Sequence, residues 1–302
     1  MGPRDALNWL RRHQLRSGAL PVSSEDRRPY PEVTGYCLTT LWRTGEREMA
    51  RRAARWLLEC QSEDGCWPGP DMATPFWFDT AIAAGSLLAL AREDDESRAE
   101  AISAVQRAAD WLAQYCVPGV PSVVTPHHHP EVPVEINLLG LAMLRQFEPL
   151  AQALYRWLEG TGAATCSGKM QHFFCYTVEA IAITDRRYAW QIAGQFARAR
   201  LLDGSLPAYL AETAEGRVIP RVTWLCYPAI AQWAALWAEL GYTAAADDAL
   251  LFLESRQTVS GGFTGGNGPY FPDEEVSWAA KYYLDACLAL DAKSTSPADG
   301  KE

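Results

Sequence analysis

The feature that most constrains this chain is a recurring two-helix unit with a period of about fifty residues, near the upper end of helical-repeat periods. Each unit opens with a helix rich in Ala, Arg and Trp, such as Ala53-Ala54-Arg55-Trp56-Leu57-Leu58. A long loop follows, and then a more apolar helix, such as Ala81 to Leu90 or Ile136 to Leu144. In the first kind of helix, Arg51, Arg52 and Arg55 share a face opposite Ala54, Leu57 and Leu58, the pattern of a half-exposed helix. The second kind is apolar all round and must be buried on every side. Tyr36, Asp79, Glu135, Tyr176, Tyr227 and Trp278 mark six such second helices. Twelve helices in six hairpins can close on themselves, with apolar helices inside and amphipathic ones outside. No strand-like alternation competes. The expected fold is therefore all-α, an (α/α)6 toroid over residues 1–291, with 292–302 as a small, polar, disordered tail.

The direction of the loops decides where chemistry can sit. Outer-to-inner loops are long and rich in Gly and Pro, which suits irregular backbone. Inner-to-outer turns such as Arg43-Thr44-Gly45-Glu46 are short. All six long loops then fall at one end of the ring. That end collects aromatic residues and carboxylates at or near inner-helix starts: Asp79, Glu135, Glu179 and Glu275. Two carboxylates facing one cavity can be pushed apart in pKa to give an acid and a base. Helix capping by the same residues is the competing reading, since acids suit the positive end of the helix dipole. The run Asp273-Glu274-Glu275 shows both readings at once. Asp273 and Glu274 read as capping charges, and Glu275 as a side chain projecting toward the cavity beside Tyr270 and Trp278.

The catalytic candidates are Glu275, Asp79, His128 and Tyr227. The substrate-binding candidates are Arg221, Trp77, Glu135, His172, Tyr176, Glu179, Tyr270 and Trp278. Aromatic faces with a few placed polar groups suit a sugar, and also a cationic intermediate. A His or Tyr can remove a proton beside a uronate carboxyl that Arg221 neutralises. Three adjacent His, His127 to His129, cannot all face one point; His127 and His129 share a side of an extended chain and with His172 or Glu135 could hold a metal, but a polar loop or an acid/base role for one His is preferred, and no metal or cofactor is assigned.

The segment Trp56-Leu57-Leu58-Glu59-Cys60-Gln61-Ser62-Glu63-Asp64-Gly65-Cys66-Trp67 resembles the repeat of terpenoid cyclases and protein prenyltransferase beta subunits, in which a helix ends in Gln and a Gly-x-Trp loop follows. Ser255 to Phe263 is a second, looser copy. The resemblance implies an alpha/alpha toroid with the Gln bonding an open helix end. The functional motifs of that group are missing. Phe78-Asp79-Thr80-Ala81 offers one Asp where triterpene cyclases carry an Asp-x-Asp-Asp acid, and there is no Asp-x-Cys zinc pair or Cys-His pair. Other six-hairpin toroids act on carbohydrates, as unsaturated glucuronyl hydrolases, glycosidases, uronate lyases and epimerases, without a shared linear motif. The leading expectation is a carbohydrate-active enzyme. An isoprenoid cyclase and a non-catalytic binding module in a biosynthetic complex are the alternatives.

Net charge is −10 with no basic block, which argues against a nucleic-acid partner. A small molecule or oligosaccharide is expected instead, with oligomeric state open. None of the eight Cys forms a C-x-x-C pair, and most sit in apolar helix-like stretches, so buried reduced thiols are expected. With no apolar run long enough for a signal peptide or a span, a cytoplasmic protein is the expectation.

Overall fold

The computed structural model describes residues 1–118, 123, 127, 132–160 and 165–295. The outer helices are α1 (Pro3–His13), α3 (Arg47–Cys60), α5 (Arg98–Ala113), α7 (Glu148–Gly160), α9 (Arg186–Ala199) and α11 (Thr243–Glu254). The inner helices are α2 (Pro31–Arg43), α4 (Trp77–Glu93), α6 (Asn137–Met143), α8 (Gln171–Thr184), α10 (Tyr227–Leu240) and α12 (Ser277–Thr295). Each inner helix packs on the next, and α12 packs on α2, so the ring closes. This is the all-α toroid that the repeat predicts. No helix among the described residues is long and apolar enough to cross a membrane. All eight Cys are free thiols.

Two details depart from the sequence reading. The loop between α9 and α10 carries a two-stranded antiparallel ribbon, β1 (Leu210–Glu212) with β2 (Val218–Pro220), with Ala211 opposite Ile219. Three-residue strands are too short to leave a periodic signal. Helix α12 continues through Ala292 to Thr295, where a frayed tail is expected, and 296–302 lie outside the described residues.

One local device pins successive outer helices to each other. Gln61, just past the end of α3, donates from Nε2 to the carbonyl of Gly65 (2.8 Å) and to that of Ala104 in α5 (2.8 Å). Gln14 does the same with Gly18 (2.8 Å) and Met49 in α3 (2.9 Å), and Gln257 with Gly261 (2.7 Å) and Gly2 at the start of α1 (3.2 Å). Each Gly four residues after the Gln holds a positive φ and lies against the next outer helix. A Cβ on Gly18, Gly65 or Gly261 would sit 2.3, 2.4 or 2.5 Å from the carbonyl oxygen of Arg52, Arg107 or Asp5. Gly204 repeats the contact against Asp248, with Arg200 in place of Gln and bonded to the Asp248 carboxylate at 2.6 Å. Only Gly allows both the φ and the approach.

The last of these stitches closes the ring, and Glu275 reinforces it. Its carboxylate accepts from Trp9 Nε1 in α1 (2.6 Å) and from the hydroxyls of Thr258 and Ser260. Its backbone pairs with Ser24, and Ser277 Oγ donates to the carbonyl of Pro21 (2.6 Å). The first and last long loops are thereby zipped together.

The stitches predict a graded response to Gly→Ala. At Gly45, where φ is +86° but nothing lies within 4 Å of a new Cβ, the change should cost about 1 kcal/mol. Gly65→Ala meets the same φ penalty and a backbone clash in addition, and should cost at least about twice as much. Urea unfolding of the two variants measures the difference.

Candidate functional site

The long-loop end of the inner ring holds two carboxyls at the starts of neighbouring inner helices. Asp79 is the third residue of α4 and Glu32 the second of α2. Asp79 is 4% exposed, and its Oδ2 accepts from the Tyr30 hydroxyl at 2.8 Å. Burial, and then the nearby Glu32 charge, hold the Asp79 carboxyl well above the usual carboxylate range. Burial likewise pushes Glu32 up to about 7, an effect partly offset by the hydroxyls of Tyr30 and Tyr36. Two such groups in a dry setting retain a proton between them where isolated carboxyls would have lost theirs.

Below the pair, side chains from four inner helices form an aromatic layer. Tyr36 stacks on Tyr176 (5.9 Å between ring centres, 4° between planes), Phe78 lies 5.3 Å from Tyr176, and Tyr282 lies 6.2 Å from Tyr36. His172 sits at its edge. Gln232 Nε2 donates to Glu179 (3.0 Å), which leaves Gln232 Oε1 to accept from His172 Nδ1 at 2.9 Å. His172 Nε2 is then the acceptor for the Tyr176 hydroxyl at 3.2 Å. Burial pushes this imidazole down to about 4, so it is neutral near pH 7. It is a bound relay rather than a free base.

The loops add an aromatic wall. Tyr209, Trp224 and Tyr270 from the loops, with Phe173 of α8, are half-buried around Met170, Ala208, Cys226 and Ala229, and Tyr270 lies 5.9 Å from His172. Phe271, beside it, holds φ +45°, an uncommon value for a bulky residue that marks local strain. The Tyr36 hydroxyl lies close enough to Glu32, and Trp278 Nε1 to Tyr270, to lower their pKa values, but neither makes a well-formed hydrogen bond among the described residues. Incompletely bonded groups beside a raised-pKa pair suit a polar ligand that completes their bonding.

The structure brings together Asp79, His172, Tyr176, Tyr270 and Trp278, and disperses the other expected residues. Glu275 faces α1 and is held by Trp9, as described above, rather than standing with Asp79. Burial alone would raise its pKa, but the bonds from Ser260, Thr258 and Trp9 hold it below the usual value. Tyr227 packs edge-on against Phe252 of α11 (6.1 Å), outside the inner ring. Trp77 is buried between layers, with Nε1 donating to the Leu112 carbonyl (3.2 Å). Glu135 lies on a 3₁₀ turn, Val134–Ile136, paired with Lys169 at 3.0 Å. Arg221 is exposed in the loop after β2. Because α8 begins at Gln171 rather than near Cys175, Glu179 lies two turns inside its helix, below the aromatic layer. His128 and His129 lie outside the described residues; His127 is exposed, 6.4 Å edge-on from Phe76. Among the described residues no group of His, Cys, Asp and Glu could hold a metal.

Glu32 escapes a reading of the sequence alone. It occupies the second position of an inner helix behind Tyr30-Pro31, as Asp79 occupies the third behind Trp77-Phe78. Aligning the repeats by phase would expose the pair.

Solved structures share this architecture across the whole chain. An alpha-amylase from Clostridium perfringens aligns at 13% identity with a TM-score of 0.68, covering 96% of this chain and 98% of that one. A possible member of the GH105 family from Klebsiella pneumoniae aligns at 13% identity and TM-score 0.66, covering 96% and 92%. A glycosyl hydrolase family 88 protein from Bacteroides vulgatus aligns at 9% and 0.62, covering 96% and 99%. At these identities the likeness defines the fold, an alpha/alpha toroid of the kind seen in glycosidases. No protein-family model and no curated protein sequence matches the chain.

The pair makes a signed pH prediction. Carboxyls with raised pKa bind protons in the folded state that the unfolded state has released. Their contribution is fully present below the unfolded value near 4.5 and is lost as pH rises toward about 7. Asp79→Asn removes that loss, so the variant should gain stability relative to wild type between pH 5 and 7.5. Glu275 works oppositely: its stabilisation is present above the unfolded pKa and is lost on acidification. Urea unfolding of wild type, Asp79→Asn and Glu275→Gln from about pH 3 to pH 7.5 checks both signs, the Glu275 contribution being lost below its unfolded pKa near 4.5.

Proposed function

We propose that this protein is a carbohydrate-active enzyme of the glycoside-hydrolase type, working at the long-loop end of the toroid. The observation that carries the reading is the Glu32–Asp79 pair, which keeps a proton in an aromatic-walled setting beside incompletely bonded polar groups. Protonating the oxygen that leaves an anomeric carbon needs such a carboxyl, poised near neutral pH. The glycosidase names of the similarly folded structures favour the same class.

In this reading Glu32, the more accessible of the two, gives its proton to the glycosidic oxygen as the C–O bond breaks. Buried Asp79, anchored by Tyr30, is the partner carboxyl that holds the proton on Glu32 at neutral pH. Water adds to the anomeric carbon and returns a proton to the pair, so the cycle closes without a cofactor. Tyr270 and Trp224 offer ring faces for the sugar. Arg221 is placed on the loop side, where it can meet an acidic substituent. A hydrolase and a lyase or epimerase diverge after the first proton transfer, and product analysis separates them.

The isoprenoid alternative has Asp79 or the Asp273–Glu275 cluster protonate an isoprenoid, and its family resemblance rests on the Gln-x-x-x-Gly repeats. Those repeats here join outer helices and belong to the fold, so they carry no preference for a terpenoid substrate.

The test is turnover of a panel of neutral and uronic oligosaccharides. On any glycan hydrolysed, Glu32→Gln and Asp79→Asn should each lower kcat/KM by about 100-fold or more with the fold intact. Activity should fall above about pH 7 as the pair loses its proton. Glu275→Gln should lower thermal stability and leave kcat near wild type. Full activity in both pair variants would reject the assignment.

A further inference from the structure

On the other side of the aromatic layer lies a second space. A chamber of about 410 Å³ opens at the short-loop end and is lined by inner helices, with one outer-helix residue, Arg186, at its rim. Its volume is within the range of small-ligand sites. Tyr36 and Tyr282 line its aromatic part, and Leu139, Met143 and Leu236 give it apolar wall. The layer of Tyr36, Tyr176 and Tyr282 lies between the chamber and the Glu32–Asp79 pair, so the chamber does not belong to the site proposed above.

The charges around it are equal in number, Lys281, Arg43 and Arg186 against Asp285, Glu179 and Glu239, but they are unevenly paired. Lys281 is satisfied: its Nζ pairs with Asp285 Oδ2 at 2.9 Å and lies 3.5 Å from the centre of the Tyr282 ring. Asp285 is satisfied too, accepting from Thr40 Oγ1 at 2.8 Å with Arg43 at 3.6 Å. Arg186 donates to the backbone carbonyl of Glu239 rather than to its carboxylate. Two chamber carboxylates are left. Glu179 accepts a single neutral bond, from Gln232, and neither Glu179 nor Glu239 has a cation within 4.0 Å among the described residues. Burial pushes Glu179 up to about 7, partly offset by Lys281; Glu239, exposed at the rim, is raised by the burial of part of its side chain and then by Asp285, against Arg43, Lys281 and Arg186. A space with an aromatic floor, apolar walls and two carboxylates without a cation within 4.0 Å recognises positive charge on a small organic body.

We infer that the axial chamber is a binding site for a small aliphatic amine, with ammonium groups against Glu179 at depth and Glu239 at the rim and its methylene body along Leu139 and Met143. The inference stands independently of the glycosidase reading. An amine here would meet the far side of the rings that floor the Glu32–Asp79 site, and Glu179 is joined to that side through Gln232 and His172.

The test uses the full chain with 1,4-diaminobutane, and with 1,4-butanediol as the uncharged counterpart of like shape. The diamine should raise Tm by about 3 °C at saturating concentration, and the diol should not. In isothermal titration, Glu179→Gln should weaken diamine binding by about 10-fold or more, as loss of a charged partner does. Ile183→Trp, at the exposed rim, should block entry without changing charge. Asp79→Asn should bind the diamine as wild type does, which keeps this outcome separate from that of the catalytic reading. No response to the diamine, an equal response to the diol, or binding unchanged in both Glu179→Gln and Ile183→Trp would overturn the inference.

Discussion

The architecture depends on the contact between each outer helix and the loop that leaves the preceding one. A ring of helices has no hydrophobic reason to stop at a given radius or tilt. What fixes it is a backbone-to-backbone approach that only Gly permits, secured by a side-chain amide bonding two carbonyls at once. The amide satisfies helix-end and loop acceptors that would otherwise be orphaned. Four of the six steps around the ring show the glycine contact, and the remaining two involve loops partly outside the described residues. The step from Gln257 and Gly261 to α1 is the closing one, where Glu275, Ser24 and Trp9 add a second set of bonds.

Because the outer layer fixes the geometry, the inner helices are free to carry polar groups toward the axis. Six inner helices converging on one line leave no room for every side chain to be apolar and large. The space is divided instead by a layer of tyrosines, with carboxyls on both sides and one lysine, Lys281, on the chamber side. Dry surroundings raise the carboxyl pKa values above the layer and below it. The same burial that makes the core cohesive therefore creates the groups able to hold protons near neutral pH.

Much of the fold is legible in the sequence because helical period and burial are local properties. The switch from the amphipathic pattern at Arg51 to Leu58 to the uniformly apolar one at Ala81 to Leu90 defines the two layers directly. The site is less legible because it depends on direction. Glu275 ends a run of three acids at an inner-helix start, as a cavity residue would, yet two bonds between its backbone and Ser24 turn it toward α1. Tyr227 begins an inner helix, but its ring points to Phe252. Asp79 stands out because its helix is long and apolar. Glu32 does not, because an acid after Pro31 reads as ordinary dipole compensation, and its significance arises from a neighbour in the next hairpin. Gln14 is hidden for a similar reason, since no Trp follows Gly18 to mark the loop as a copy of the one at Gly65.

The central claim is that Glu32 and Asp79 hold a proton together at pH values where separate carboxyls are ionised. Infrared difference spectroscopy of the protonated-carboxyl stretch tests it directly. Between pH 5.5 and 6.5 the account predicts a buried-carboxylic-acid band in wild type that loses the pair's share of its intensity in the Glu32→Gln, Asp79→Asn double variant, the remainder being the Glu179 contribution that Glu179→Gln removes. A band unaffected by the double variant, or absent from wild type in that range, would contradict the account.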